Sequence, residues 1–512
     1  MKKIIIIFSI IGVLLTSCTK EILDTEPLST ISDATFWKDV KDAELALMGA
    51  YDGMQARELY KGSGYTSGSG IAQYDFLSDD GYCTSTWMKY VHISDAKFDA
   101  TSWGNDQLWA ACYIVIARAN RVIDFVPGIP DIKEEDSKKI VAEAKVLRAS
   151  IYNLLSMTYG DVPLITKTQT LDEAQVPKNL KSEVVEFIIA DLEACHADLP
   201  AQAKEGRITQ GAALGMLARI YLYDAQWAKA ASTADLVMGL GYTLYPDYTQ
   251  LFKYENENNS EVIFPVTFMT GLGTEGSRWI DYYGGRGYVN YRSALPSLIN
   301  EFYCTDGLPT SESPLFNPDS VSANRDPRLV TTVTSRGFVG WEGKEKENFG
   351  IYFPDKYRIK DKALRKDSPQ NFYLIRYAHI LLIKAEALAQ QGTSGEVYSL
   401  INQLRDRVGM PKVEDVEGTN LSQPELLALV KHERRVETAF EGLRYFDIKR
   451  WGEIQEKYNY YNNNEYDNYL GVAGEKYYKN MIERVWQDRY NKWPIPQSEL
   501  DANKKLVQNE GF

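Results

Sequence analysis

Along most of the chain, apolar residues recur at helical spacing, and two long stretches break that period. Leu426, Val430, Val436, Phe440 and Leu443 step by helical intervals with Glu433 in the same stripe, which predicts a helix with one buried face. Gly442 then ends it or lets a neighbouring backbone approach. Val40, Leu45, Leu47, Met48 and Tyr51 predict a first helix over Asp39–Arg57. Leu108, Cys112, Val115, Ala119 and Val122 predict one over Asp106–Phe125. Ile140, Ala144, Leu147, Ile151, Leu154 and Leu155 predict one over Asp136–Tyr159, stopped by Gly160-Asp161-Val162-Pro163. Val185, Ile188, Ile189, Leu192 and Cys195 predict one over Ser182–Leu199 with Ser182 as its N-cap.

Two segments read as helical hairpins. In Thr209–Tyr223 and Gln226–Gly239, Leu214, Leu217, Tyr221 and Trp227 meet small residues Ala218, Ala230, Ala231 and Ala234, which resembles the tetratricopeptide pattern. Tyr377–Leu404 repeats the idea, so stacked helical pairs are expected, each burying its face on the next. The period vanishes over Leu59–Ala100 and nearly vanishes over Ser260–Gln370, where glycines alternate with Tyr and Trp. Only Val262–Phe268 in the second stretch reads as a strand. Long irregular segments in compact proteins usually carry function. The tail from Trp493-Pro494-Ile495-Pro496 onward reads as extended, pinned by its prolines, not helical.

Composition narrows the function. At 512 residues the chain has room for a large core or two to three domains of about 150 residues. The net charge of -13 excludes nucleic acid as the main partner, because such binders concentrate Lys and Arg. Thirty-four Tyr and 10 Trp supply flat apolar faces with polar handles, suited to core packing and to binding surfaces. Four His and no paired Cys motif give no footing for a metal, and no cofactor is expected. Cys112 and Cys195 fall in helical patterns as small buried hydrophobes, whereas Cys83 and Cys304 leave pairing open.

The N-terminus indicates a location. Lys2 and Lys3 precede an apolar run, Ile4–Leu15, that is short of the roughly 17–25 residues a spanning helix needs. It reads as a signal peptide, and Leu15-Thr16-Ser17-Cys18 resembles a bacterial lipobox. That resemblance implies cleavage before Cys18 and acyl chains on Cys18, each buried CH₂ adding about 0.8 kcal/mol of membrane affinity. An ordinary signal peptide with an incidental cysteine is the alternative. Residues 1–17 are therefore assigned to the signal peptide and 18–35 to an acidic flexible tether.

Glu433–Ile454 holds five acids (Glu433, Glu437, Glu441, Asp447, Glu453) and five bases (Arg434, Arg435, Arg444, Lys449, Arg450) among large apolar side chains. Balanced charge at apolar positions predicts a buried, paired network that ties distant segments to one helix. A catalytic centre also gathers carboxylates and arginines and is the rival reading.

Here the residues resemble the RagB/SusD family of nutrient-uptake lipoproteins. The likeness rests on Ala142-Glu143-Ala144-Lys145 with Leu147-Arg148-Ala149, on Tyr159–Leu164, and on Asp191-Leu192-Glu193 followed by Leu199-Pro200. It rests further on Arg325–Leu329, Arg376-Tyr377-Ala378 with Ala385-Glu386-Ala387, Glu441–Asp447 with Arg450-Trp451-Gly452, Pro494-Ile495-Pro496 and Gln508-Asn509. It runs from about Phe36 to the end and is weak in Leu59–Ala100 and Met269–Gln370. The resemblance implies a mainly α fold with tetratricopeptide-like hairpins and a long irregular ligand-binding region. It divides the chain into a helical part, 36–259, and a C-terminal part, 260–512, with a variable loop region at 260–370. It also implies a lipid-anchored outer-membrane protein facing the cell exterior, a SusC-like TonB-dependent transporter as partner, and capture of an oligosaccharide without catalysis. Some relatives handle peptides instead.

A sugar binder needs aromatic platforms for C–H faces and planar polar groups for hydroxyls. Two stretches meet that need: Tyr74–Tyr90, with Asp79, Asp80, Tyr82 and Trp87, and Arg278–Tyr291, with Arg278, Trp279, Asp281, Tyr282, Tyr283, Arg286 and Asn290. Trp341, between Gly340 and Gly343, is a third candidate. Packing under their own loops is the competing fate of these aromatics. Tests for an enzyme are negative: there is no GxSxG elbow and no P-loop, and His432-Glu433 is followed by Val436 where a zincin helix needs its second His. Asp79-Asp80 are adjacent, whereas a glycosidase needs its two carboxyls on opposite sides of a bond, so a surface glycoside hydrolase is the weakest alternative.

Overall fold

The computed structural model describes residues 36–62, 70, 73–83, 96–202, 206–273, 275–278, 292–334, 352–357, 362–364, 367–459 and 484–512. Its N-terminal helices are α1 Val40–Met54, α2 Asn105–Phe125, α3 Glu134–Tyr159, α4 Lys181–Cys195, α5 Gln210–Tyr223 and α6 Trp227–Met238. After the irregular region come α7 Tyr377–Gln390, α8 Gly395–Val408, α9 Gln423–Thr438 and α10 Arg444–Arg450.

Local chemistry explains where these helices begin. Asp39 caps α1 by accepting from the Lys41 and Asp42 amides. Ser422 and Glu425 form a capping box at α9. Thr209 caps α5 through the Ala212 amide at 3.2 Å. The expected cap at Ser182 is not used. α4 starts one residue earlier, because Glu183 accepts from the Leu180 amide at 2.8 Å and Asp161 accepts from the Lys181 amide at 2.9 Å.

Consecutive helices pack as antiparallel neighbours, α1 on α2, α2 on α3 and α3 on α4. The α1–α2 crossing is close: a Cβ on Gly53 would sit 2.8 Å from Val115 Cγ2. The hairpins α5–α6 and α7–α8 lie far apart in sequence, yet α6 packs directly on α7, so the pairs form one stack. The small faces Ala230, Ala234, Ala385 and Ala389 are fully buried.

The intervening chain leaves and re-enters this stack through a strand pair. β2, Val262–Val266, runs antiparallel to the buried strand Phe372–Arg376, with Val262 opposite Arg376 and Val266 opposite Phe372. The second strand carries no alternation, since all five positions are buried, and that is why its sequence shows no strand signal. The tail also differs from expectation. It carries a short helix over Gln497–Ala502, with Pro496 at its N-cap, so the proline begins a helix instead of preventing one. Cys83, Cys112, Cys195 and Cys304 are buried, and no disulfide joins Cys83 to Cys304. No described helix is long and apolar enough to cross a membrane.

Candidate functional site

Helix α9 presents Glu433 and Glu437 one turn apart on its buried face. The chain then turns through Phe440, at φ 60°, and Gly442, at φ 76°, which carries Glu441 into the same interior. Cations from four other segments converge on these carboxylates. Arg376, at the end of the strand Phe372–Arg376, donates to Glu437 at 2.6 Å, to Glu261 at 2.7 Å and to both oxygens of Glu441 at 2.7 and 2.9 Å. Arg407 from α8 grips both Glu437 oxygens at 2.7 and 2.6 Å, and Arg405 reaches Glu433 at 3.1 Å. Arg328 spans Asp326, Glu433 and Glu437 at 2.7, 2.6 and 3.0 Å. Lys356 reaches Glu441 at 2.9 Å.

The electrostatics follow from this crowding. Burial alone would raise the Glu437 carboxyl, but Arg407, Arg376 and Arg328 outweigh it and hold it well below the usual range. His379 is driven down to about 3 by burial and is neutral. Arg219 has only donors and lies 3.1 Å from His379 Nδ1, so Nδ1 accepts and Nε2 donates to Glu441 at 2.9 Å. Every carboxylate here already holds cations, and none faces a partner acid across open space. The arrangement is a scaffold, not a catalytic pair.

The remaining charges of this stretch form two further clusters. Arg434 holds Asp447 at 2.7 Å, and Arg450 joins Asp447 at 3.0 Å to Glu386 at 2.5 and 2.6 Å, where Trp451 Nε1 also donates at 2.8 Å. Arg444 takes Asp79 in a bidentate grip at 2.7 and 2.8 Å, while Arg435 reaches Asp80 and Glu301, each at 2.8 Å. Gly442 donates its amide to both oxygens of Asp75 at 3.1 Å.

These contacts correct part of the expected ligand site. Asp79, Asp80 and Tyr82 are at most 2 % exposed. Asp79 serves Arg444 and Arg435, and the Tyr82 ring lies 5.4 Å from the Arg484 guanidinium. Both carboxylates lie out of water, Asp79 held by two arginines and Asp80 by Arg435 through Oδ1, so neither is presented to a sugar hydroxyl. Arg278 is half-buried, and its amide donates to Lys61 O at 2.8 Å. Trp87, Trp279, Tyr282, Tyr283, Arg286, Asn290 and Trp341 lie outside the described residues.

The described residues nonetheless show where the segments bearing those side chains are attached. β1, Gly81–Cys83, pairs antiparallel with β3, Arg292–Ala294, placing Tyr82 opposite Ser293 and Cys83 opposite Arg292. Ala294 bridges on to Tyr352, its amide donating to Tyr352 O at 2.8 Å. Next to that bridge, β4, Val333–Thr334, pairs with β5, Phe353–Pro354. Arg484 donates to Phe76 O and Ser78 O at 2.9 and 3.2 Å and lies 4.1 Å from the Tyr458 ring. Cys83 precedes 84–95, Arg292 follows 279–291, Thr334 and Tyr352 bracket 335–351, and Tyr458 and Arg484 flank 460–483. The attachment points of three aromatic-bearing segments thus share one small β cluster, Arg484 joins the end of a fourth to the chain just before β1, and Arg435, Arg444 and the two aspartates hold that chain in place. Sequence spacing could not have found Arg484, since it reports no contact across such distances. Among the described residues, no group of three or more His, Cys, Asp or Glu is arranged to hold a metal.

Comparison with known proteins agrees with this architecture. A family model described as "SusD family" matches residues 252–512, and one described as "Starch-binding associating with outer membrane" matches residues 46–222. The chain is 28% identical over 538 aligned residues to SusD-like protein P38 of Formosa agariphila, covering 97% of this chain and 96% of that protein. It is 26% identical to the starch-binding protein SusD of Bacteroides thetaiotaomicron, covering 84% of this chain and 83% of that one. A crystal structure of a SusD-like carbohydrate binding protein from Bacteroides fragilis superposes with a TM-score of 0.77 at 27% identity, over 92% of this chain and 100% of that one.

Proposed function

The chain belongs to the SusD family, whose members are non-catalytic, outer-membrane-associated glycan-binding proteins, and we propose that it captures an oligosaccharide and passes it to a SusC-like TonB-dependent transporter. The observation that carries this reading is the shared β cluster from which the aromatic-bearing segments depart. Trp87, Trp279, Tyr282, Tyr283 and Trp341 supply stacking faces, and Arg278, Arg286 and Asn290 supply donors for hydroxyls. Scaffold and ligand chemistry are divided: the buried charges hold the cluster together, and the segments 84–95, 279–291 and 335–351 select the sugar. Acyl chains on Cys18 and the tether 18–35 hold the protein at the membrane surface beside its transporter.

Affinity electrophoresis over a panel of polysaccharides tests the reading. Retardation on at least one glycan without reducing-end release supports it. Binding of peptides alone favours capture of a peptide by the same lid arrangement, and release of reducing ends refutes the non-catalytic assignment.

A further inference from the structure

Beneath the turn that carries Glu441 lies a cavity of about 40 Å³ that none of the contacts above explains. Tyr60, Met157, Arg219, Tyr223, Glu441 and Leu443 are among its lining residues. Arg219, on α5, is 4 % exposed. It donates through Nη2 to Leu374 O at 2.7 Å and to His379 Nδ1 at 3.1 Å, both uncharged acceptors, and its Nε has no partner. No carboxylate pairs with it among the described residues. Of the charges that reach it, Arg434 repels and Asp447 attracts, but Asp447 is already held by Arg434 at 2.7 Å and Arg450 at 3.0 Å. Glu441, on the same wall, is held by Arg376, Lys356 and His379.

The local charge does not close. Among the described residues, Arg219, Arg434 and Arg450 stand around Tyr223 against Asp447 and Glu386, one more cation than anion. A guanidinium does not lose its proton in a protein, so the excess is not relieved by titration. A second buried donor, Arg434 Nη1, is also without a partner. The Tyr223 hydroxyl accepts from Arg434 at 3.4 Å, which leaves its own proton to donate. A buried, uncompensated cation costs several kcal/mol, so an anion here is favoured. A water-sized particle needs about 10–15 Å³ of such space, so the cavity has room for a monatomic anion and its neighbouring waters.

We propose that this cavity is a binding site for a single halide ion, held by Arg219 Nε and the Tyr223 hydroxyl, that neutralises the buried arginine behind the Glu441 turn. The ion completes the charge balance of the core next to the segment that leads into α10. The site is independent of the glycan reading, because it faces the helix stack and uses none of the ligand candidates.

Crystals of the full chain soaked in sodium bromide test it directly. Anomalous data at the bromine edge are expected to show a peak within hydrogen-bonding reach of Arg219 Nε, and a position occupied by water only overturns the proposal. In solution, the Tm is expected to be about 2 °C higher in sodium bromide than in sodium gluconate at equal ionic strength. Equal values overturn the proposal. Arg219→Met is expected to abolish that difference. Should this variant fail to fold, Tyr223→Phe reads the same difference, which is expected to shrink. An unchanged bromide increment in Tyr223→Phe removes the hydroxyl from the site and contradicts the assignment.

Discussion

Glu437→Gln probes the role of the charged stretch, because glutamine keeps the shape, removes the charge and turns one of two accepting oxygens into an NH₂ that cannot accept from the arginines. Glu437 receives Arg376 at 2.6 Å, Arg407 at 2.6 and 2.7 Å and Arg328 at 3.0 Å; Glu437, Arg376 and Arg328 are buried, and Arg407 is half-buried with its side chain turned inward. Each pair is worth about 4 kcal/mol at an effective dielectric constant near 20, so the gross attraction is about 12 kcal/mol. Desolvation of the carboxylate offsets most of that, and breaking a buried pair by removing one partner typically costs about 3–5 kcal/mol. Taking about 2.1 cal/mol/K of unfolding entropy per residue, that loss lowers the Tm by about 3–5 °C for a chain this long unfolding as a unit. Acid sensitivity carries a second signature. The folded-state carboxyl is held below its ordinary value, so its stabilisation is complete above about pH 4.3 and is lost as pH falls through and below that point. The variant is therefore expected to show a flatter loss of stability below about pH 4.5. Calorimetry and urea unfolding at several pH values read both effects. A loss under about 1 kcal/mol, or loss of glycan binding at unchanged stability, refutes a purely structural role for this carboxylate.

The other predictions concern the β cluster, the ligand segments and the anchor. Burial, opposed by Arg435 and reinforced by Asp79, lifts the Asp80 carboxyl to about 6, whereas Arg435 and Arg444 overcome burial to hold Asp79 far below its usual range. A raised carboxyl stabilises the fold at low pH and loses that contribution as pH rises from about 4 to about 6. Urea unfolding is therefore expected to show Asp80→Asn costing less at pH 8 than at pH 5, and Asp79→Asn costing about the same at both. A larger Asp80→Asn cost at pH 8 would contradict the sign. Trp87→Ala and Trp279→Ala are each expected to weaken glycan retention about tenfold or more with unchanged circular dichroism, and unchanged affinity in both removes them from the site. Cys18→Ala is expected to move the protein out of the membrane fraction, and retention there contradicts lipidation.

The helices were legible in the sequence because each buries one face and so writes a 3.6-residue period, as in Leu426, Val430 and Glu433 of α9. The strand Phe372–Arg376 was not legible, because burial on every side erases alternation. The balance of acids and bases in Glu433–Ile454 foretold a paired network, but not its partners. Arg328, Lys356, Arg376 and Arg407 come from loops, a strand end and a helix that sequence distance hides. Asp79 and Asp80 show the opposite error. They sit in an aromatic, glycine-rich stretch that reads as exposed loop, and only their arginine partners, more than 350 positions away, reveal them as interior groups. Arg444 and Asp447, three residues apart on α10, belong to different clusters, since Arg444 serves Asp79 while Asp447 serves Arg434 and Arg450.

Hydrogen exchange of the full chain, with and without the glycan that best retards it, tests the division between scaffold and ligand segments most directly. New protection is expected in peptides covering 84–95, 279–291 and 335–351, with exchange across Gln423–Arg450 unchanged. Protection confined to Gln423–Arg450, with none in those three segments, would contradict the account and return the charged stretch to the ligand site.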